Sequence, residues 1–218
     1  RRYYYSDREM RDGRWNREVC GRELEGKTVG FVGFGKIAQR LAQYLMGFQC
    51  KIAVYDEYAP GDILKAYSAQ RVCMLEELAA CADVVTVHCP LNDSTRGMLS
   101  GAFFRSMKST AYFVNTARGA IVDEQALIDA LQQKRIAGAG LDVFEVEPLA
   151  ADSPLRSMNN VCIAAHIASY TEESMARTRL VAAQNIVDFA QGRVPRNCVN
   201  PNYLQYAQNT EKVRRDGT

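Results

Sequence analysis

Glycines and an acid in the first third of the chain have the spacing of a dinucleotide site. Gly33 and Gly35 stand between an apolar run and an amphipathic run, where a strand would turn tightly into a helix. Backbone N–H groups can approach a pyrophosphate there because no side chain intrudes. Ala38 occupies a third small position, where helix and strand would pack closely. Asp56 follows about 20 residues later, where the next parallel strand would end beside a ribose.

Asp56 also bears on which dinucleotide would bind. Its carboxylate can accept hydrogen bonds from a free 2′-hydroxyl but would repel a 2′-phosphate, and Glu57 adds to that repulsion. No arginine stands next to them in the sequence. These residues favour NAD over NADP. The alternatives are a glycine-rich turn that only joins a strand to a helix, and the related turns of flavin and S-adenosylmethionine sites.

Further polar residues follow the later apolar runs. Ligands of an open parallel sheet bind outside the carboxyl ends of its strands, so the residue after each run is informative. We therefore expect one continuous polar rim, with ordinary loop polarity as the alternative for any single position. In chain order the rim comprises Asp56, residues 88–90 (HCP), residues 115–119 (NTARG), Asp142 and His166.

Three side chains at this rim suit hydride transfer to a carbonyl group. Reduction needs a proton donor for the developing alkoxide, and His166 is the candidate. Glu147 could meet His166, favour its charged form and orient the ring. Arg118 offers a forked guanidinium that can hold a substrate carboxylate through two hydrogen bonds. A structural histidine and a solvated loop acid remain the alternatives for His166 and Glu147.

Alternation of strand-length and helix-length segments predicts an α/β fold with a parallel sheet covered on both faces. Asp123 is the predicted N-cap of one helix, and Thr171 or Ser169 that of the last. The predicted strands are residues 28–33, 51–55, 71–74, 84–88, 111–115, 138–142 and 161–164. The predicted helices are residues 37–46, 75–81, 124–133 and 172–191.

Composition limits the possible functions. A chain of 218 residues with net charge +2 fits one well-packed domain and gives no argument for a nucleic-acid or membrane partner. The seven cysteines form no C-x-x-C pair and mostly lie in apolar runs, which predicts reduced core residues in a cytoplasmic protein and no metal site. No apolar run approaches membrane-spanning length, and no signal-peptide pattern is present. The arginine-rich residues 1–22 are diluted by acids, which favours a solvated helix or linker arm over nucleic-acid binding.

Five segments of the chain have a characteristic order and spacing. They are residues 30–38 (GFVGFGKIA), 88–95 (HCPLNDST), 115–123 (NTARGAIVD), 140–148 (GLDVFEVEP) and 165–168 (AHIA). Together they resemble the D-isomer-specific 2-hydroxyacid dehydrogenases, from Leu24 to about Pro201. This resemblance implies a Rossmann-type doubly wound sheet, NAD as cofactor, and a 2-hydroxy or 2-oxo acid as substrate.

The resemblance also implies a role for individual residues. Arg118 would bind substrate, His166 would be the catalytic histidine, and Glu147 would be its partner. Formate-oxidising members look different at the position of Glu147, and the segments look most similar to phosphoglycerate and hydroxypyruvate dehydrogenases. Implied cofactor contacts are Lys36 and Ile37 at the pyrophosphate, Asp56 at the ribose, Cys89, Pro90 and Thr95 around adenosine, and Thr116, Ala117 and Asp142 near nicotinamide.

The chain departs from the family pattern in three respects. Ala38 replaces a glycine, and Ala165 replaces the usual proline before His166, which could loosen that loop. Members normally begin with a substrate domain, whereas here we expect an arm over residues 1–22, an NAD-binding domain over 23–192 and a tail over 193–218. We therefore expect most of the substrate domain to be absent, with negligible turnover by this chain alone. The resemblance further implies a homodimer joined through the cofactor domain.

Two other classes of protein remain open at this point. One is a non-catalytic NAD-responsive interaction module, as in the transcriptional corepressors that resemble this family and keep similar residues. The other is a methyltransferase, which would need no Arg–Glu–His set.

Overall fold

The computed structural model describes residues 3–18, 20–200 and 202. Seven parallel strands form one sheet in the order β3-β2-β1-β4-β5-β6-β7. This order confirms the predicted Rossmann-type α/β fold. The strands are β1 Thr28–Val32, β2 Lys51–Tyr55, β3 Gln70–Arg71, β4 Val84–Val87, β5 Tyr112–Asn115, β6 Gly138–Leu141 and β7 Val161–Ile163.

All seven predicted strands are therefore present. Strand β2 has its predicted bounds, and five others are one residue shorter than expected. The exception is β3, which has two residues and begins at Gln70. Residues 72–74 of its predicted range lie outside β3, with α4 beginning directly after them, although Val72 N still donates to Val54 O at 2.8 Å.

Helices separate the strands. The four predicted helices are confirmed, and Asp123 and Thr171 cap α6 and α7 by accepting from Ala126 N and Ser174 N, each at 3.0 Å. The six-residue α3 and α5 were not predicted, because so short a segment shows little periodicity. The helices are α1 Tyr3–Arg11, α2 Lys36–Met46, α3 Gly61–Ala66, α4 Leu75–Cys81, α5 Gly101–Ser106, α6 Glu124–Gln132 and α7 Glu172–Ala190.

Alternate residues of the central strands pack into two separate cores, one on each face of the sheet. On β2, Ile52 and Val54 join α2 and α3, whereas Ala53 joins the core under α4, α5 and α6. The second core is dominated by the edge-to-face pairs of Phe103, Phe104 and Phe113. The strands are thus held from both sides, so their carboxyl ends have fixed positions.

The chain divides into two compact units, residues 1–168 and residues 169–218. The first carries the sheet, and the second carries α7. The domain boundaries predicted after residues 22 and 192 stay predictions, and residues 201 and 203–218 of the predicted tail lie outside the described part.

Three findings concern expectations drawn from the composition. All seven cysteines are free, and none is buried: Cys50, Cys89 and Cys198 are partly exposed and the other four exposed, so the expectation of core cysteines was wrong. Within the described ranges, no helix combines the length and apolar character needed to cross a membrane. No group of three or more metal-ligating side chains occurs among those same residues.

Candidate active site

The glycine turn between β1 and α2 is shaped by close backbone packing. Gly33 has φ +87°, and a Cβ there would lie 2.6 Å from the backbone nitrogen of Cys89. Glycine alone fits both constraints. Gly35, the N-cap of α2, has open space around it and offers no side-chain cap to the first turn. The N–H groups at the start of α2 are therefore suited to bind an anion. Ala38 is fully buried, as its packing role predicts.

Asp56 connects this turn to the loop after β2. Its Oδ2 accepts from the backbone N–H of Phe34 at 2.7 Å. Its Oδ1 accepts from Tyr58 N at 2.9 Å and from Ala59 N at 3.1 Å. A carboxylate offers about four acceptor positions, so one remains on Oδ2 for a ribose hydroxyl. Asp56 thus stabilises the turn and the loop after β2, and it is also a candidate to bind a ribose hydroxyl.

Arg71 lies beside this acid in space, although 15 residues separate them in sequence. Its Nη1 donates to the carbonyl oxygen of Asp56, and its Nη2 donates to that of Ala59. The expectation that no arginine adjoins Asp56 therefore holds only along the chain. The pairing of Arg71 with Val54 across β2 and β3 produces the contact.

A cavity of about 380 Å³ opens between the glycine turn and the loop after β4. Thr95 supports its wall by donating from Oγ1 to the carbonyl oxygen of Pro90 at 2.7 Å. Lys36 and Ile37 do not line the cavity and are exposed at the start of α2. The structure therefore brings six of the predicted cofactor residues together: Gly33, Gly35, Asp56, Cys89, Pro90 and Thr95.

Two titratable side chains of the loop after β4, His88 and Cys89, are held in their neutral forms. Burial lowers the pKa of His88 to about 4, and the neutral ring contacts Thr86 Oγ1 at 3.0 Å and stacks on Phe31. Burial likewise raises the pKa of the Cys89 thiol to about 11. Neither group suits acid–base or nucleophilic chemistry at neutral pH.

His166 and Glu147 form a hydrogen-bonded pair further along the same edge. Nδ1 of His166 lies 2.8 Å from Oε2 of Glu147. Because a carboxylate only accepts, Nδ1 carries the hydrogen. Oε1 of Glu147 accepts from Phe144 N at 3.1 Å. The hydrogen bond from His166 is the largest cause that lowers the pKa of Glu147, followed by that from Phe144.

Asp142 holds the turn that presents His166. It is 5% exposed, and its carboxylate accepts from Ile167 N at 2.8 Å and Ala168 N at 2.9 Å. Its carbonyl oxygen accepts from His166 N at 2.8 Å. His166 itself has φ +55°, an uncommon conformation for a non-glycine residue that these three bonds stabilise. The turn is thus fixed although alanine stands at position 165.

Arg118 lies on the loop after β5, next to the pair. Buried Asn115 shapes this loop by donating to Arg118 O at 2.9 Å and accepting from Ala117 N at 3.0 Å. A Cβ on Gly119 would lie 1.9 Å from the carbonyl group of Phe144, so the two loops touch backbone to backbone. The positive charge of Arg118 contributes to the lowered pKa of Glu147. Thr116 and Arg118 are exposed on this loop, and Ala117 is partly exposed.

Two residues that position the loops of Glu147 and Arg118 were not predicted from the sequence. Glu124, the first residue of α6, accepts from Glu145 N at 2.9 Å and so holds the loop of Glu147. Gly119 permits the close approach described above. An acid after an N-cap is common in any helix, so Glu124 carries no sequence signal. For Gly119, its place directly after Arg118 was the available signal.

A wider groove of about 640 Å³ runs along His166 and Glu147. Its other walls are mostly apolar, with Phe144, Leu149 and Ile163 among them. The acid–base pair therefore borders space large enough for a small organic acid.

The strand order, the glycine turn and the acid at the end of β2 define a Rossmann-type dinucleotide-binding domain. The family model described as D-isomer specific 2-hydroxyacid dehydrogenase, NAD binding domain, matches residues 1–168. The chain belongs to this family and carries its NAD-binding domain.

Similar proteins agree with this assignment. A glyoxylate reductase of Thermofilum pendens is 39% identical over 219 residues, covering 98% of this chain and 64% of the relative. A glyoxylate/hydroxypyruvate reductase B of Enterobacter sp. is 41% identical over 197 residues, covering 88% of this chain and 60% of the relative. The structure of D-lactate dehydrogenase with NAD+ from Lactobacillus jensenii has a TM-score of 0.79 at 28% identity, covering 90% of this chain and 63% of that one. The chain thus spans 60% to 64% of the length of these curated relatives.

Proposed function

We propose that this chain is the cofactor-binding part of an NAD-dependent oxidoreductase that interconverts D-2-hydroxy acids and 2-oxo acids. The observation that carries the proposal is the His166–Glu147 pair, 2.8 Å apart, on the sheet edge that also bears the glycine turn. Such a pair is a proton donor and acceptor, which reduction of a carbonyl needs. Arg118 supplies a guanidinium for a substrate carboxylate.

The chain's residues would act in three ways. Arg118 anchors the substrate carboxylate, and Glu147 orients His166 through Nδ1. His166 donates a proton to the carbonyl oxygen during reduction and accepts it from the hydroxyl during oxidation. Bound NADH or NAD+ supplies or accepts the hydride. A carbonyl that gains one hydride and one proton becomes the hydroxyl of a 2-hydroxy acid, so the step balances.

NAD fits the residues present. The open surface at Gly35 and the uncapped start of α2 suit a pyrophosphate. The remaining acceptor position of Asp56 suits a ribose hydroxyl, and the cavity beside Cys89, Pro90 and Thr95 suits the adenosine half. Lys36 and Ile37 at the pyrophosphate, and Thr116, Ala117 and Asp142 near nicotinamide, are part of the same proposal.

The names of the relatives suggest a small substrate. The two curated relatives above are named for reduction of glyoxylate or hydroxypyruvate. We infer that a short 2-oxo acid is the substrate class here as well.

We further propose a cytoplasmic homodimer. Free cysteines support the location. Support for the dimer comes from exposed apolar side chains, namely Tyr3 and Trp15 in the arm and Ile37 and Tyr44 on one face of α2. Sedimentation velocity of the chain tests the oligomeric state.

Calorimetry and a substrate panel test the main proposal. The 218-residue chain should bind NAD+ more tightly than NADP+, and absence of NAD+ binding would overturn the assignment. The full-length gene product should oxidise NADH with at least one acid of a 2-oxo acid panel. Binding of NAD+ without turnover on any of them would favour the corepressor-type module instead.

A further inference from the structure

Arg71 contacts the backbone of the loop that follows β2, residues 56–59. Strand β3 is the edge strand of the sheet, and its pairing with β2 places Arg71 level with Val54, one residue before β2 ends. The guanidinium binds the carbonyl oxygens of Asp56 and Ala59, while the Asp56 carboxylate binds the amides of Tyr58 and Ala59. Two side chains, Arg71 and Asp56, thus hold carbonyl and N–H groups of this one loop.

This placement sets a cation at the backbone of the loop that carries the two acids Asp56 and Glu57. A guanidinium has five N–H donors, and the two carbonyl contacts use two of them. The other donors keep the fork geometry that matches phosphate oxygens. Asp56 and Glu57 line the cavity that the same loop borders, so negative charge faces any ligand before the guanidinium does. In Rossmann folds an arginine near the end of the second strand accommodates the 2′-phosphate of NADP.

We propose that Arg71 is a specificity-determining residue of the ribose site and that its role depends on the charge of Asp56. While Asp56 is charged, Arg71 positions the loop for a free 2′-hydroxyl. When that charge is removed, Arg71 binds the 2′-phosphate of NADP. This inference rests on the proposed dinucleotide function.

A double-mutant cycle tests the assignment by calorimetry with NAD+ and NADP+ on the 218-residue chain. Asp56→Asn keeps the size of the side chain, removes its charge and exchanges one of its two acceptor oxygens for an amide group. NADP+ affinity should therefore rise, and the preference for NAD+ should fall by about tenfold or more. Adding Arg71→Met should then weaken NADP+ by about tenfold and NAD+ by less than threefold. With Asp56 intact, Arg71→Met should weaken NAD+ by several-fold and leave the preference for NAD+ in place.

Two controls separate this role from a purely structural one. Arg40→Met removes an exposed arginine of α2 that contacts Gln43 and should change neither affinity. Arg71→Lys keeps the charge without the fork and should recover only part of the NADP+ affinity in the Asp56→Asn background. If Asp56→Asn does not fold, as circular dichroism would show, Glu57→Gln with and without Arg71→Met provides the same comparison.

Equal losses of NAD+ and NADP+ on adding Arg71→Met to Asp56→Asn would overturn the inference, because loosening of the loop affects both ligands alike. A parent chain that binds neither dinucleotide would overturn the proposed function and this inference with it. A parent that binds NAD+ while Asp56→Asn gains no NADP+ affinity would overturn only the inference.

Discussion

The two ends of the candidate site are built differently. At the dinucleotide end, Asp56 is held by three backbone N–H groups and Gly33 packs directly on the backbone of Cys89. At the catalytic end, the decisive contact joins two side chains, and those of His166 and Glu147 are 48% and 37% exposed. The first end is fixed by the sheet beneath it, whereas the second presents its groups to solvent.

This difference separates the requirements for cofactor binding from those for acid–base catalysis. A backbone-lined turn needs only the local fold, so we expect cofactor binding at the dinucleotide end to depend on the sheet unit itself. Acid–base catalysis gains from a site that excludes water, and half-exposed His166 and Glu147 do not provide that by themselves. Because the two ends are built differently, we expect cofactor affinity and turnover to respond to mutations independently.

The largest expected effect is on turnover, from His166→Asn. Asparagine tolerates the left-handed backbone found at position 166, so the turn should survive while the proton donor is lost. Turnover of the full-length gene product should fall about 10²- to 10⁴-fold. NAD+ affinity, measured by calorimetry on the 218-residue chain, should change by less than about tenfold.

Gln125→Ala serves as the control, since Gln125 contacts only Asp129 in its own helix among the described hydrogen bonds of its side chain. A loss of NAD+ affinity as large as the loss of turnover would contradict the separation of the two ends.

Gly33→Ala tests the dinucleotide end. The positive φ and the 2.6 Å approach to Cys89 should together cost about 2–5 kcal/mol in free energy of unfolding. Gly35→Ala is the matched control, because its Cβ would enter open space. It should change stability by less than about 1 kcal/mol, measured by urea unfolding, yet still weaken NAD+ because the new methyl group lies where the pyrophosphate approaches. Similar stability losses in both variants would argue against the packing described for Gly33.

Much of this architecture could be predicted because it depends on local patterns. Apolar runs gave all seven strands, and single residues gave the caps Asp123 and Thr171. The rim at the strand ends followed from the topology of parallel sheets, and it includes His166 and Arg118.

What the sequence did not reveal depends on contacts between distant segments. The contact of Arg71 with Asp56 spans 15 residues, and that of Glu124 with Glu145 spans 21. Neither has a periodicity or motif, because each arises from the register of strands or the meeting of two loops. Exposure of the cysteines was missed for a related reason: an apolar neighbourhood in sequence does not say which side chain faces solvent.

The smallest expected effect concerns pH and the Glu147 charge. Its pKa is lowered in the folded protein, so the charged carboxylate stabilises the fold above the ordinary glutamate value near 4.5. That contribution is lost as pH falls below 4.5 through the lowered folded value. Because Glu147 is 37% exposed, the contribution should be at most about 1 kcal/mol.

Glu147→Gln keeps an acceptor for Phe144 N but removes the charge and replaces the oxygen that accepts from His166 Nδ1 with an amide group. Urea unfolding of both proteins from pH 7 to pH 3 therefore follows the part of this loss that depends on pH. The parent should be more stable at pH 6, and the difference should shrink towards zero at pH 3. Glu145→Gln, on the same exposed loop, should show no such dependence. A difference that stays constant down to pH 3 would mean that hydrogen-bond geometry, and not charge, couples Glu147 to His166. In that case the catalytic end would resemble the dinucleotide end more closely than its exposure suggests.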